Sequence, residues 1–247
     1  RELSDASSEA DRLLELATAD LRAAVAVDSS RALAWITLSD LMRLTGRFVE
    51  ADRAAKRALR ADAFLREAES VVFQLHQTSL ELEDLTAADY WCAEARRRFA
   101  GTYWPWSCGI FMMALPGGPS PDVEKAGAYL ESFERTVPSA RRDLFLPLVR
   151  MHVAAVLARA GRTDSARAMM NAARAEADAA EPPDPLRRVL YPEAYVRLLL
   201  GEPDSALALL ERYLEFNPQR RSYIAEDWLW RSLRNDPRFQ GLVHTGG

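Results

Sequence analysis

Residues 32–62 read ALAWITLSDLMRLTGRFVEADRAAKRALRAD. Trp35, Leu38 and Met42 recur at helical spacing, Gly46 interrupts the run, and Phe48, Ala51, Ala55 and Ala58 resume it. The first segment is bulky and the second is small. Gly46 suits a tight turn, since a positive backbone dihedral there meets no Cβ. The stretch therefore predicts two antiparallel helices in which Trp35 and Leu38 fill the space left open by the alanines. Outward from this unit the alanines recur. Ala17, Ala51, Ala88, Ala126, Ala166 and Ala206 are separated by 34, 37, 38, 40 and 40 residues. Seven residues after each comes Ala24, Ala58, Ala95, Phe133, Ala173 or Tyr213. Residues one heptad apart share a helix face, and small ones let a neighbour approach closely. Such a lattice, about one helix hairpin per step, predicts a stacked helical repeat.

The turns repeat as well. Gly161-x-x-Asp164-Ser165-Ala166-x-Ala168 parallels Gly201-x-x-Asp204-Ser205-Ala206-x-Ala208, and Gly46 stands at the same distance before Ala51. Asp or Ser after the glycine is expected to cap the second helix. Pro138 and Pro218 follow second helices, where a helix should stop. The reading places a second helix of an incomplete unit at 8–27, helix pairs at 32–61, 66–99, 103–136, 143–180 and 186–216, and a C-terminal cap at 221–243, in one domain spanning 1–247. The Pro/Gly runs at 116–121 and 179–185 are expected to be a long turn and a stiff connector. The unpartnered helix 8–27 suggests a fragment of a longer chain.

Trp35, Leu38, Ser39, Met42, Ala51, Ala55 and Ala58 resemble the tetratricopeptide repeat, whose period equals the 34-residue step from Ala17 to Ala51. Ser39 and Met42 depart mildly, and Ala55 replaces an aromatic residue. The resemblance implies an all-α, right-handed α-solenoid of antiparallel helix pairs. At the end of the chain, Asn235-Asp236-Pro237 predicts a short helix with Asp236 as cap and Pro237 at its first position. Trp228, Leu233, Phe239 and Leu242 are expected to lie over the last hairpin. Leu233-Arg234-x-Asp236-Pro237-Arg238-Phe239 resembles the end of tetratricopeptide regions in bacterial signalling proteins, where they follow Ser/Thr kinase, adenylate cyclase or winged-helix DNA-binding domains. That implies a regulatory or docking role.

Composition narrows the chemistry. The chain has a net charge of −4, and 32 basic residues of which only Lys56 and Lys125 are lysine. The short Arg runs are interleaved with acids, which argues against a nucleic-acid footprint. No apolar run reaches the ~18 residues of a membrane span. Cys92 and Cys108 have no metal-type spacing and read as buried free thiols acting as small apolar residues. His76, His152 and His244 are scattered, with no ligand spacing, phosphate loop or nucleophile elbow around them. The chain is accordingly read as non-enzymatic, without catalytic, metal or cofactor residues. By default it is placed in the cytoplasm.

Helix counting from Trp35 puts a partner-binding groove on the first helices. Its candidate residues are Ile36, Asp40 and Arg43, then Phe73 and Gln77, then Phe111, Met151 and Ala155, then Tyr191 and Tyr195. Such a groove suits a protein or peptide segment. The effector domain of the same chain is one candidate partner. The alternative is a small-molecule sensor region regulating an attached kinase, cyclase or DNA-binding domain. It is motivated by the aromatic group Tyr90, Trp91, Phe99, Tyr103, Trp104, Trp106 and Phe111, which reads either as core or as contact surface.

Overall fold

In a computed structural model, residues 2–62 and 67–244 are described, with side chains from residue 12 onward. All regular structure among them is helical. The helices are α1 (Glu2–Val27), α2 (Ala32–Leu44), α3 (Phe48–Ala61), α4 (Ala68–Glu81), α5 (Leu85–Arg98), α6 (Trp104–Ala114) and α7 (Val123–Thr136). They continue with α8 (Ser139–Arg159), α9 (Thr163–Ala179), α10 (Leu190–Leu199), α11 (Pro203–Phe216), α12 (Arg221–Glu226) and α13 (Pro237–His244). The expected start of the second pair at Arg66 lies outside the described residues. Helix α8 begins at Ser139, before the expected 143, because Pro138 serves as its N-cap.

Each hairpin closes the same way. Ala51, Ala88, Ala126, Ala166 and Ala206 are fully buried. Twelve residues before each stands Ser39, His76, Ala114, Ala154 or Ala194, also buried. In two hairpins a side chain bridges this pair: Ser39 Oγ donates to the Ala51 carbonyl at 2.9 Å. His76 Nδ1 donates to the Ala88 carbonyl at 3.1 Å. Small residues on both helices bring the backbones close enough for one short side chain to span them.

The turns share a register too. Gly46, Gly161 and Gly201 have φ of 72°, 71° and 78°. In each, the following amide reaches five residues back: Arg47 to the Met42 carbonyl, Arg162 to Leu157 and Glu202 to Arg197, at 2.7–2.9 Å. This left-handed C-terminal motif satisfies the last helical carbonyls. The α4–α5 turn has the same motif without glycine, with Glu83 at φ 54° and Asp84 N bonded to Ser79 O. Side-chain N-caps are formed by Asp84 and Asp122, accepting from Ala87 N and Lys125 N. Asp164 and Asp204, expected as caps, instead lie inside the first turns of α9 and α11, where a carboxylate complements the positive helix end.

The chain forms two compact units, residues 1–99 and 100–247, where the sequence reading has a single array. In the N-terminal unit α2 packs on α1 and α3, α3 on α4, and α4 on α5. In the C-terminal unit α6 packs on α7 and α8, α8 on α9 and α10, and α10 on α11. Ion pairs brace the second unit. Arg150 joins Glu134 of α7 to Glu176 of α9, and Arg174 of α9 reaches buried Glu193 of α10. The C-terminal cap is held by Trp230, Leu233, Phe239 and Val243. The buried tryptophan is therefore Trp230; Trp228, expected in that role, is only half-buried. Asp236 Oδ1 accepts from Arg238 N and so caps α13. Neither cysteine is a free thiol, which corrects the expectation of two.

Candidate functional site

On α2, residues 33, 36, 40, 43 and 44 fall within a stripe of about 100° at 100° per residue. This stripe faces away from Trp35, Leu38 and Met42, which are buried. Leu33 and Leu44 are 61% and 70% exposed, and Arg43 is exposed beside them. Asp40 is half-buried and accepts from Gln74 Nε2 of α4 at 2.6 Å, which ties the two first helices together. Desolvation holds the Asp40 carboxyl above the ordinary carboxylate value, against the opposing pull of Arg43. On α4, Phe73 is 42% exposed and Gln77 is half-buried. The N-terminal unit therefore brings Asp40, Arg43, Phe73 and Gln77 to one surface. Ile36 belongs to the same stripe but is buried.

The equivalent positions of the C-terminal unit behave differently. Phe111 is half-buried, with its ring 5.0 Å from that of His152. Met151 is fully buried and Ala155 nearly so. Tyr195 is buried and donates its hydroxyl to the Ala114 carbonyl at 3.0 Å. Tyr191 donates to Asp227 and accepts from Trp230 Nε1 at 3.1 Å. Burial pushes the Tyr191 hydroxyl well above its ordinary value, with the Asp227 charge adding to it. Met151 and Tyr195 thus serve the core in place of the expected groove, and Tyr191 anchors the cap. The cause is the close packing of α8 against both α6 and α10, which closes the inward face.

Of the aromatic group, Tyr90 is 59% exposed, while Trp91 is buried edge-on to it at 4.8 Å. Tyr103 packs against Phe133 and Phe145, each 5.8 Å away, and Trp106 against Tyr129 at 5.6 Å. Tyr103 and Trp106 are half-buried and pack against the core of the second unit.

Counting helix positions did not reveal two clefts, because each draws on helices distant in sequence. In the N-terminal unit, one of about 350 Å³ is lined by α1, α2 and α3, with Trp35, Leu38 and Met42 as its floor. In the C-terminal unit, one of about 280 Å³ lies between the first half of α8, the end of α9 and the 180–189 connector. Its floor includes Leu144, Pro147, Leu148 and Val189, and its rim Asp143, Asp178, Glu181, Asp184, Arg187 and Arg188.

Neither of the two buried histidines is poised for acid–base work at neutral pH. Desolvation pushes His76 and His152 down to about 4, so both are neutral. His76 lies in the hairpin core with Cys92 Sγ 3.4 Å away. His152 Nδ1 is buried with no hydrogen-bond partner among the described residues.

No protein-family model matches the chain, and no curated protein matches it. Among solved structures it is similar to YrrB, described as a TPR protein with an unusual peptide-binding site. The TM-score is 0.47 at 16% identity, covering 80% of this chain and 92% of that one.

Proposed function

We propose that the chain is a non-enzymatic interaction module of the tetratricopeptide type, and that its N-terminal unit presents the first-helix surface to a partner polypeptide. The observation that carries this reading is the exposure of Leu33, Leu44 and Phe73 on that surface, beside Arg43 and the Asp40–Gln74 pair. Apolar residues held open to solvent next to fixed polar groups supply both anchor and register for a bound segment. The resemblance of residues 233–239 to the ends of bacterial signalling regions supports a regulatory setting in the cytoplasm, with the effector domain of the same protein as one partner. No helix among the described residues is long and apolar enough to cross a membrane.

The test is capture of the partner from a lysate of the source cells by wild type and by the triple variant Leu33→Ser, Leu44→Ser, Phe73→Ala, with helicity checked by circular dichroism. The folded variant is expected to lose the captured species. Undiminished capture rejects the surface.

A second reading, a small-molecule sensor, is favoured by the C-terminal cleft, whose apolar floor and charged rim have the make-up of a ligand site. A metabolite binding there would raise the melting temperature, and Leu148→Trp would abolish the shift.

A further inference from the structure

The face of α2 opposite the exposed stripe carries a different kind of surface. Helix α2 packs on both α1 and α3, and Trp35, Leu38 and Met42 floor the cleft between them. Small residues on the two walls, Ala26 of α1 and Ala54 of α3, leave it unfilled. Its volume of about 350 Å³ falls in the range of ligand pockets, ~300–1,000 Å³. It has room for one or two large side chains.

The rim is positive. Arg22, Arg53 and Arg57 face a single carboxylate, Glu50. That carboxylate is already engaged: Arg47 pairs with it from outside the cleft, and Arg22 lies 3.7 Å away. The Arg47 hydrogen bond and the surrounding arginines hold the Glu50 carboxyl below its ordinary value. Arg57 lies over the Trp35 ring at 4.8 Å and pairs with no carboxylate among the described residues. Arg53 is exposed and is one of the arginines whose charge lowers the Glu50 carboxyl. An apolar floor beneath under-neutralised guanidinium groups selects an occupant that is apolar at its centre and anionic at its edges. A basic segment would be repelled. A nucleic acid would need a longer stripe of positive charge than three arginines around a narrow floor.

We propose that this cleft is a docking site for an acidic polypeptide segment. One large apolar side chain of the segment inserts onto Trp35, Leu38 and Met42, and its flanking carboxylates pair with Arg53 and Arg57. The site is separate from the exposed stripe of α2, so it stands or falls without the function proposed above.

The test is fluorescence anisotropy of the full chain with a labelled peptide, two copies of Glu-Glu-Leu-Glu-Glu-Phe, and with a control in which every Glu is Gln. The acidic peptide is expected to bind at low salt, to weaken as salt screens the rim, and to bind roughly tenfold more tightly than the Gln control. The double variant Arg53→Glu, Arg57→Glu alters exposed side chains, and its fold is checked by circular dichroism because it gives up the stacking of Arg57 on Trp35. It is expected to lose roughly tenfold in affinity for the acidic peptide and to bind the version carrying Lys for Glu more tightly than wild type does. The Leu33→Ser, Leu44→Ser, Phe73→Ala variant should bind the acidic peptide normally. Failure of wild type to bind it, or wild-type affinity in the Arg double variant, overturns the proposal. Loss of binding only in the Leu33/Leu44/Phe73 variant would place the peptide on the first-helix surface, leaving that function standing and removing this cleft.

Discussion

The two units use one hairpin design and differ in what they do with its inward face. In the N-terminal unit the first helices α2 and α4 meet through the Asp40–Gln74 hydrogen bond and pack less closely than their counterparts. Phe73 and Gln77 stay accessible. In the C-terminal unit α6, α8 and α10 pack directly, and the residues at the same lattice positions, Met151 and Tyr195, are buried. The second alanine of the lattice is also replaced in two of its three hairpins, by Phe133 and Tyr213, both buried, while α9 keeps Ala173. In those two hairpins the larger side chains fill core space that an alanine would leave empty. Rim charge differs in parallel: the N-terminal cleft is ringed by arginines, the C-terminal one mostly by carboxylates. A repeat architecture sets where side chains point, while the fit between neighbouring repeats decides whether they bind or merely pack.

The comparison breaks most readily at Phe133. Phe133→Ala should cost about 3–5 kcal/mol in urea denaturation, because the vacated core cannot fully collapse. Ala95→Gly at the same lattice position should cost only about 1 kcal/mol. Equal losses would remove the claim that Phe133 fills core space that Ala95 does not.

Acid provides the next largest effect, with one sensor in each unit. The unfolded histidines take up protons near 6.5, whereas folded His76 and His152 do so only near 4. Between these values the unfolded state binds more protons. Stability is therefore intact above about pH 6.5 and is lost as the pH falls toward 4, on the order of 3 kcal/mol per histidine. His76→Ser copies the residue at the equivalent position of the first hairpin, and His152→Leu removes an unpartnered buried nitrogen. Melting temperatures between pH 7 and 4.5 should flatten stepwise in the two single variants and further in the double one. A slope unchanged in all three would contradict the assignment.

The smallest effect sharpens the likeness of the turns. Glu83→Gly relieves a non-glycine residue of its positive φ and should gain about 0.5–1 kcal/mol. Gly161→Ala forces a side chain into the same conformation and should lose about 1 kcal/mol. Opposite signs in thermal denaturation would show that the α4–α5 and α8–α9 turns are one motif.

How much was legible follows from which residues have substitutes. Gly46, Gly161 and Gly201 marked their turns because few other residues tolerate that backbone, and the buried alanines marked helix contacts because nothing larger fits. The α4–α5 turn carried no such mark, since Glu83 bears its strain unannounced. The row twelve residues before the lattice was hidden because Ser, His and Ala occupy it, a set sharing no obvious property until the Ala51 and Ala88 carbonyls are seen. On α2 and α4 helix counting placed the candidate residues Asp40, Arg43, Phe73 and Gln77 on accessible faces. It failed at Met151 and Tyr195 because periodicity on one helix cannot report how closely its neighbours pack. The clefts were illegible for the same reason, each being assembled from three separate segments.

The constant registers within the hairpins, five residues from turn to lattice alanine in four of them and twelve across each pair, have a consequence for how the chain can change. The step between repeats drifts from 37 to 40, yet the added residues all fall between one lattice alanine and the buried position twelve residues before the next. Each hairpin is thus a cassette of fixed gauge, and the seams between cassettes take up the slack. A gene that gains or loses a codon or two at a seam keeps every hairpin intact and only shifts how one sits on the next.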